Sequence, residues 1–253
     1  MIRKSLAVML LSALAAAMPA SAQTLLFGAE ASFKLPAQLS AGAGVEFRSM
    51  DWLNNADQWS VDASLGWKPL KWLKVGVDYK FIQSQTLSAF NSDGYALPSY
   101  WNNKHRLSAG LTFSWKPVKK LSLSLRERYQ LTRRPSFLVP QFNDGTPWGN
   151  KTVNGKTQHL LRSRLQAEYK PYKKCRFTPF ASFELYSRLR EVNTTKHRAD
   201  GARFCEKWRL SAGSEIKLDK HNELEIFYRY CDRGADDDGD SRHTIALVYS
   251  FSL

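Results

Sequence analysis

Beyond its first residues the sequence has no apolar run of the roughly 20 residues that a helix needs to cross a membrane. A mean hydropathy of −0.43 points the same way. Cysteine is scarce: Cys175, Cys205 and Cys231 are an odd and sparse set, unlike a disulfide scaffold. The five histidines, His105, His159, His197, His221 and His243, show no zinc-ligand spacing with cysteines or carboxylates. Acidic residues are few, 23 against 37 basic ones, so the net charge is +14 over 253 residues. These absences exclude a helical membrane bundle, a disulfide-stapled fold and a zinc site. With 8 Trp, 10 Tyr and 14 Phe, the chain is also too aromatic to stay unfolded.

The N-terminus reads as an address. Arg3 and Lys4 precede an apolar stretch from Leu6 to Met18, and Ala20-Ser21-Ala22 is a small-residue cleavage pattern. We expect residues 1–22 to be a cleaved secretory signal peptide and residues 23–253 to form one domain outside the cytoplasm. In that compartment the basic excess argues for lipid phosphates and internal carboxylates as partners, not nucleic acid.

From Gln23 onward, apolar and polar residues alternate, the mark of strands with two different faces. Val75, Val77, Tyr79 and Phe81 oppose Lys74, Gly76, Asp78 and Lys80; Leu107, Ala109, Leu111 and Phe113 repeat the pattern. Eleven such segments can be traced, the last ending at Leu253. Glu127 breaks the apolar face of the sixth. Short links at 36–38, 69–71, 116–120, 171–176 and 219–222 alternate with long ones at 50–57, 84–103, 132–156, 191–202 and 232–241. That asymmetry belongs to outer-membrane barrels, with turns on one rim and loops on the other. Trp67-Lys68-Pro69, Trp115-Lys116-Pro117 and Tyr169-Lys170-Pro171 each close a segment on the short side. There proline is expected to stop the ladder, and Trp67, Trp72, Trp115 and Tyr169 to form an interfacial girdle.

Volume decides which face meets lipid. About five large apolar side chains per segment overfill a lumen that is just wide enough for its own side chains at about 8 strands. The apolar face therefore turns outward. Single-chain bacterial barrels usually have even strand counts, so the expected fold is an up-and-down antiparallel barrel of 10–12 strands. Ten requires residues 24–35 to lie off the wall; twelve, the preferred count, requires one further short segment.

The segments Phe27-Gly28-Ala29-Glu30-Ala31-Ser32-Phe33-Lys34-Leu35, Val75 to Phe81 and Glu225-Ile226-Phe227-Tyr228-Arg229-Tyr230 resemble a bacterial outer-membrane family known only as a domain of unknown function, as do the aromatic-Lys-Pro turns and the ending Tyr249-Ser250-Phe251-Ser252-Leu253. The resemblance spans nearly the whole chain after residue 22. It implies an outer-membrane barrel and carries no activity. The ending resembles the signal read by the barrel-insertion machinery, implying that machinery and outer-membrane lipids as partners.

No catalytic residue, metal ligand or cofactor is assigned. Ser163 follows His159 by four residues on one face, too far apart for a lipid hydrolase dyad. The run Asp236-Asp237-Asp238-Gly239-Asp240 lacks a calcium-loop pattern and reads as a solvated acidic tip. The candidate site is a lumen charge cluster of Arg126, Arg128, Arg162, Arg164, Glu168, Glu184, Arg209 and Arg229, with Glu168, Glu184 and Asp144 as possible partners for the arginines. The expected role is a non-enzymatic envelope barrel whose lumen is filled with charge. A narrow anion-selective channel is the alternative, and a lipid hydrolase ranks last.

Overall fold

The structure is a computed structural model describing residues 23–172, 175–233 and 242–253. The expected signal peptide and the acidic run Asp236 to Asp240 lie outside the described residues. Strands make up the architecture: β1 (Gln23–Lys34), β2 (Leu39–Met50), β3 (Asn55–Leu70), β4 (Leu73–Thr86), β5 (Ala89–Phe90), β6 (Ala96–Leu97), β7 (Tyr100–Val118) and β8 (Leu121–Arg134). After them come β9 (Phe137–Asn143), β10 (Thr146–Val153), β11 (Lys156–Tyr169), β12 (Phe177–Asn193), β13 (Arg198–Asp200), β14 (Arg203–Lys217), β15 (Asn222–Arg233) and β16 (Arg242–Ser252).

Twelve of them form one sheet, ordered β11-β8-β7-β4-β3-β2-β1-β16-β15-β14-β12-β13, and pairing of β11 with β12 closes it. The closed wall has eleven strands, with β13 added to the upper end of β12 through three residue pairs. In an up-and-down wall with an odd count, the first and last strands run the same way. The seam between β1 and β16 is accordingly parallel, from Gln23 opposite His243 to Ser32 opposite Ser252. All other wall pairs are antiparallel. Residues 24–35 are thus part of the wall.

The proline motifs differ from expectation in one respect. Beside Trp67 and Trp115 the ladder skips two residues and resumes at Leu70 with Leu73 and at Val118 with Leu121. Proline offers no N–H, so the wall bulges around it before the turn. At Tyr169 the strand does end. In the β14–β15 turn, the Asp219 carboxylate accepts the backbone N–H of His221 at 2.8 Å and of Asn222 at 2.9 Å. Those donors hold its carboxyl below the usual range.

Among the described residues, the long connections carry defined structure. Residues 51–54 form a tight link with Asp51 and Trp52 at positive φ. Strands β5, β6, β9 and β10 build a second sheet at the long-loop rim, ordered β10-β9-β6-β5.

Outward-facing residues are the apolar set: Phe27, Phe47, Val61, Leu65, Val77, Leu107, Leu111 and Leu165 are all exposed. Trp67, Trp72, Trp115 and Tyr169 are also exposed and gather at the short-turn rim. Polar tips on this face find partners on neighbouring strands. Tyr79 Oη lies 2.7 Å from His105 Nδ1 and Tyr129 Oη 2.5 Å from His159 Nδ1, and Tyr228 pairs with His243. Glu127, the break in the sixth segment, stands directly opposite Ser163, whose Oγ donates to its Oε2 at 2.6 Å.

The outward face gives the first prediction. In urea unfolding of the refolded protein, Leu111→Arg should cost about 2–4 kcal/mol, as for basic residues at the lipid midplane. The pair Glu127→Leu, Ser163→Val should leave stability unchanged or raise it, because a desolvated polar pair gains little over apolar packing. The reverse order would show that this face does not meet lipid.

Candidate functional site: an arginine wall in the lumen

Four adjacent strands, β8, β11, β12 and β14, present the charge cluster. Register places Arg126 opposite Arg164, Arg164 opposite Glu184, and Glu184 opposite Arg209. One step along, Arg128 faces Arg162, and Arg162 faces Tyr186. Two rows of cations thus run around the wall with one carboxylate between them. Like charges directly opposite repel, and Glu184 is the one carboxylate that three of these arginines share. Arg162 Nη2 donates to both of its oxygens, at 2.6 and 2.8 Å. Arg126 Nη2 donates at 3.4 Å, and Arg164 Nε lies 3.7 Å away.

Tyr186 completes the knot. It is 3% exposed; its hydroxyl donates to Glu184 at 3.0 Å and accepts from Arg209 Nη1 at 2.7 Å. The Arg162 and Arg209 guanidinium carbons lie 5.2 and 5.0 Å from its ring centre, and Lys207 Nζ lies 5.2 Å away. A ring face turned toward three cations offsets charge that one carboxylate cannot. The alternation of β12 places Tyr186 on the inward face with Glu184, so parity was the signal that could have identified it.

The remaining arginines find weaker partners. Arg128 pairs with Asp78 at 3.3 Å across β7, where Gly110 stands opposite Arg128. A Cβ at Gly110 would come within 2.7 Å of the Glu127 carbonyl oxygen, so only glycine permits this approach. Arg106 donates to Thr132 at 3.3 Å and Arg229 to Ser211 at 3.3 Å. Arg209 Nε lies 3.4 Å from Cys231 Sγ.

Two expected partners do not join the knot. Asp144 sits exposed in the β9–β10 turn. Glu168 accepts from Gln166 at 2.8 Å, near the short-turn rim. Cys231 stands opposite Arg209, four residues along from Cys205, and all three cysteines are free. Cys205 is exposed, whereas Cys175 and Cys231 are buried.

The wall facing this cluster is balanced. Glu46 pairs with Arg48 at 3.1 Å and Lys80 at 3.3 Å, and Lys80 reaches Asp62 at 3.7 Å. Asp57 pairs with Arg242 at 2.9 Å and Arg48 at 4.0 Å. By contrast, Arg106, Arg126, Arg128, Arg162, Arg164, Arg209 and Arg229 share only Glu184 and Asp78 as carboxylate partners among the described ion pairs. The Nε atoms of Arg126, Arg162 and Arg164 are buried without a hydrogen-bond partner. A patch of inward apolar residues, Leu26, Phe180, Phe227, Ala246 and Val248, occupies a further part of the lumen.

Removing the shared carboxylate should unbalance the knot. Glu184→Gln is expected to cost about 3–5 kcal/mol in denaturant unfolding, the range for breaking a buried ion pair from one side. Adding Arg162→Gln should recover part of that loss. Additive losses would show that the arginines do not depend on Glu184.

A family model described as "Protein of unknown function (DUF2490)" matches residues 24–239. No curated protein matches the chain. Among solved structures, the chain is similar to the β domain of the Bordetella autotransporter Brka, with TM-score 0.53 and 13% identity over 83% of this chain and 78% of that one. It is also similar to the translocator domain of the autotransporter NalP from Neisseria meningitidis, with TM-score 0.56 and 12% identity over 83% and 74%. At these identities the likeness is one of fold: a closed, all-β barrel.

Proposed function

The chain belongs to the DUF2490 family of proteins of unknown function, and on that premise we propose that it is a narrow anion-selective channel of the outer membrane, without enzymatic activity. Its outward belt of exposed apolar residues suits a lipid surroundings, and the barrel fold is shared with outer-membrane autotransporter domains. Outer-membrane lipids and, through Tyr249 to Leu253, the barrel-insertion machinery are its partners in this reading.

The observation that carries the proposal is the unmatched charge of the arginine wall. Of the seven guanidiniums, four share two carboxylates and three form no carboxylate ion pair among the described residues, and three buried Nε donors are left without acceptors. A mobile anion entering the lumen supplies both the missing charge and the missing acceptors, which is how rings of arginine select anions. Because the opposite wall is balanced, the field of the arginine wall is not cancelled and draws anions to its own side.

A second reading, a closed structural barrel, draws on the buried Tyr186 knot and the inward apolar patch. Single-channel recording from refolded protein in planar bilayers separates the two. The channel reading expects anion-selective current that falls in the Arg126→Gln, Arg162→Gln variant. Absence of current from wild type and variant alike, with the variant less stable, assigns the closed barrel instead.

A further inference from the structure

The long-loop rim carries a second concentration of charge, separate from the lumen wall. A cavity of about 630 Å³ lies there, lined by Arg134, Lys151, Lys156, Glu191, Lys196 and Arg198 among others. Both of its carboxylates are already engaged. Glu191 pairs with Lys156 at 2.8 Å and Arg188 at 3.7 Å, and Asp200 pairs with Arg198 at 3.6 Å. Lys151 and Lys196 have no carboxylate partner among the described residues. Arg134 Nη2 donates to the Asn154 carbonyl at 3.0 Å, while its Nε is buried with no hydrogen-bond partner.

Two of the lining segments, around Gly155 and Asn193, are tied together by close backbone contact. Gly155 N–H donates to Thr195 Oγ1 at 2.9 Å, and Thr194 N–H donates to the Gly155 carbonyl at 2.9 Å. A Cβ at residue 155 would clash with the Thr194 hydroxyl and lie 3.1 Å from the Ser136 backbone nitrogen, so a larger residue would force Thr194 aside. Asn193 Oδ1 accepts from the backbone N–H of Thr195 at 3.2 Å and of Lys196 at 2.9 Å, holding the turn that carries Lys196. Tyr100, packed edge-on against Phe137 at 5.5 Å, supplies an aromatic lining.

We infer that this cavity binds a phosphate ester carried on a body of saccharide size. Two unpaired ammonium groups and a guanidinium with a free donor suit a dianion, since charge-assisted bonds to phosphate are strong. The volume falls in the usual range for small organic ligands, about 300–1,000 Å³, and greatly exceeds a bare phosphate. Asn154 in the lining offers a polar side chain for hydroxyls, and Tyr100 an aromatic surface. The same chemistry is available from a soluble sugar phosphate and from the headgroup of a phosphorylated glycolipid.

The inference is independent of conduction through the lumen. Its test is calorimetric titration of the refolded full chain with glucose 6-phosphate, with glucose, and with lipid A dispersed in the same detergent. Saturable binding of glucose 6-phosphate but not glucose supports the site and a soluble ligand. Binding of lipid A alone supports the site and assigns the headgroup. In either case Lys151→Gln with Lys196→Gln should weaken binding at least tenfold. If neither phosphate probe binds saturably, or the double variant binds as tightly as wild type, the inference is overturned. The ion selectivity of the same variant in bilayers reports separately on the lumen, because neither lysine lies on the arginine wall.

Discussion

Closure of the backbone hydrogen-bond ladder is the constraint from which the rest follows. Strands exposed to an apolar surrounding can leave no edge unpaired, because each orphaned N–H or carbonyl costs several kcal/mol there. Eleven wall strands meet this requirement only by joining the first and last in parallel, and the ten register pairs of the β1–β16 seam do so. The C-terminal residue helps to lock the seam: the Leu253 carbonyl accepts from Lys34 N–H at 2.9 Å, and Leu253 N–H donates to the Ser32 carbonyl at 2.9 Å.

Closure also determines how charge is shared. Once the register of β8, β11, β12 and β14 is set, Arg126 and Arg128 must lie opposite Arg164 and Arg162. No rotamer removes that juxtaposition; it can only be neutralised. Glu184 and the Tyr186 ring do so for the nearest cations. The excess that remains is built into the wall rather than into a flexible loop, so the field in the lumen is preorganised. At the long-loop rim, cations again outnumber the carboxylates that line the cavity. The two basic zones are carried by different segments, the wall strands in one case and mainly rim hairpins and turns in the other.

The all-β class, the two-faced strands, the alternation of turns and longer links, and the inward parity of the arginines were legible in the sequence. These are local properties: side-chain direction alternates with every residue, and turn residues mark their own positions. The pairing of β14 with β15 was legible for the same reason, since a short turn sets its register, and Cys231 lies opposite Arg209 as that turn requires. The parallel seam, the partner of Glu127 and the acid that holds the arginines emerge only from the closed barrel. Those depend on strands far apart in the chain: Ser163 reaches Glu127 across 36 residues, and Glu184 meets Arg126 across 58. Period two says which residues share a face. Only the closed register says which of them touch.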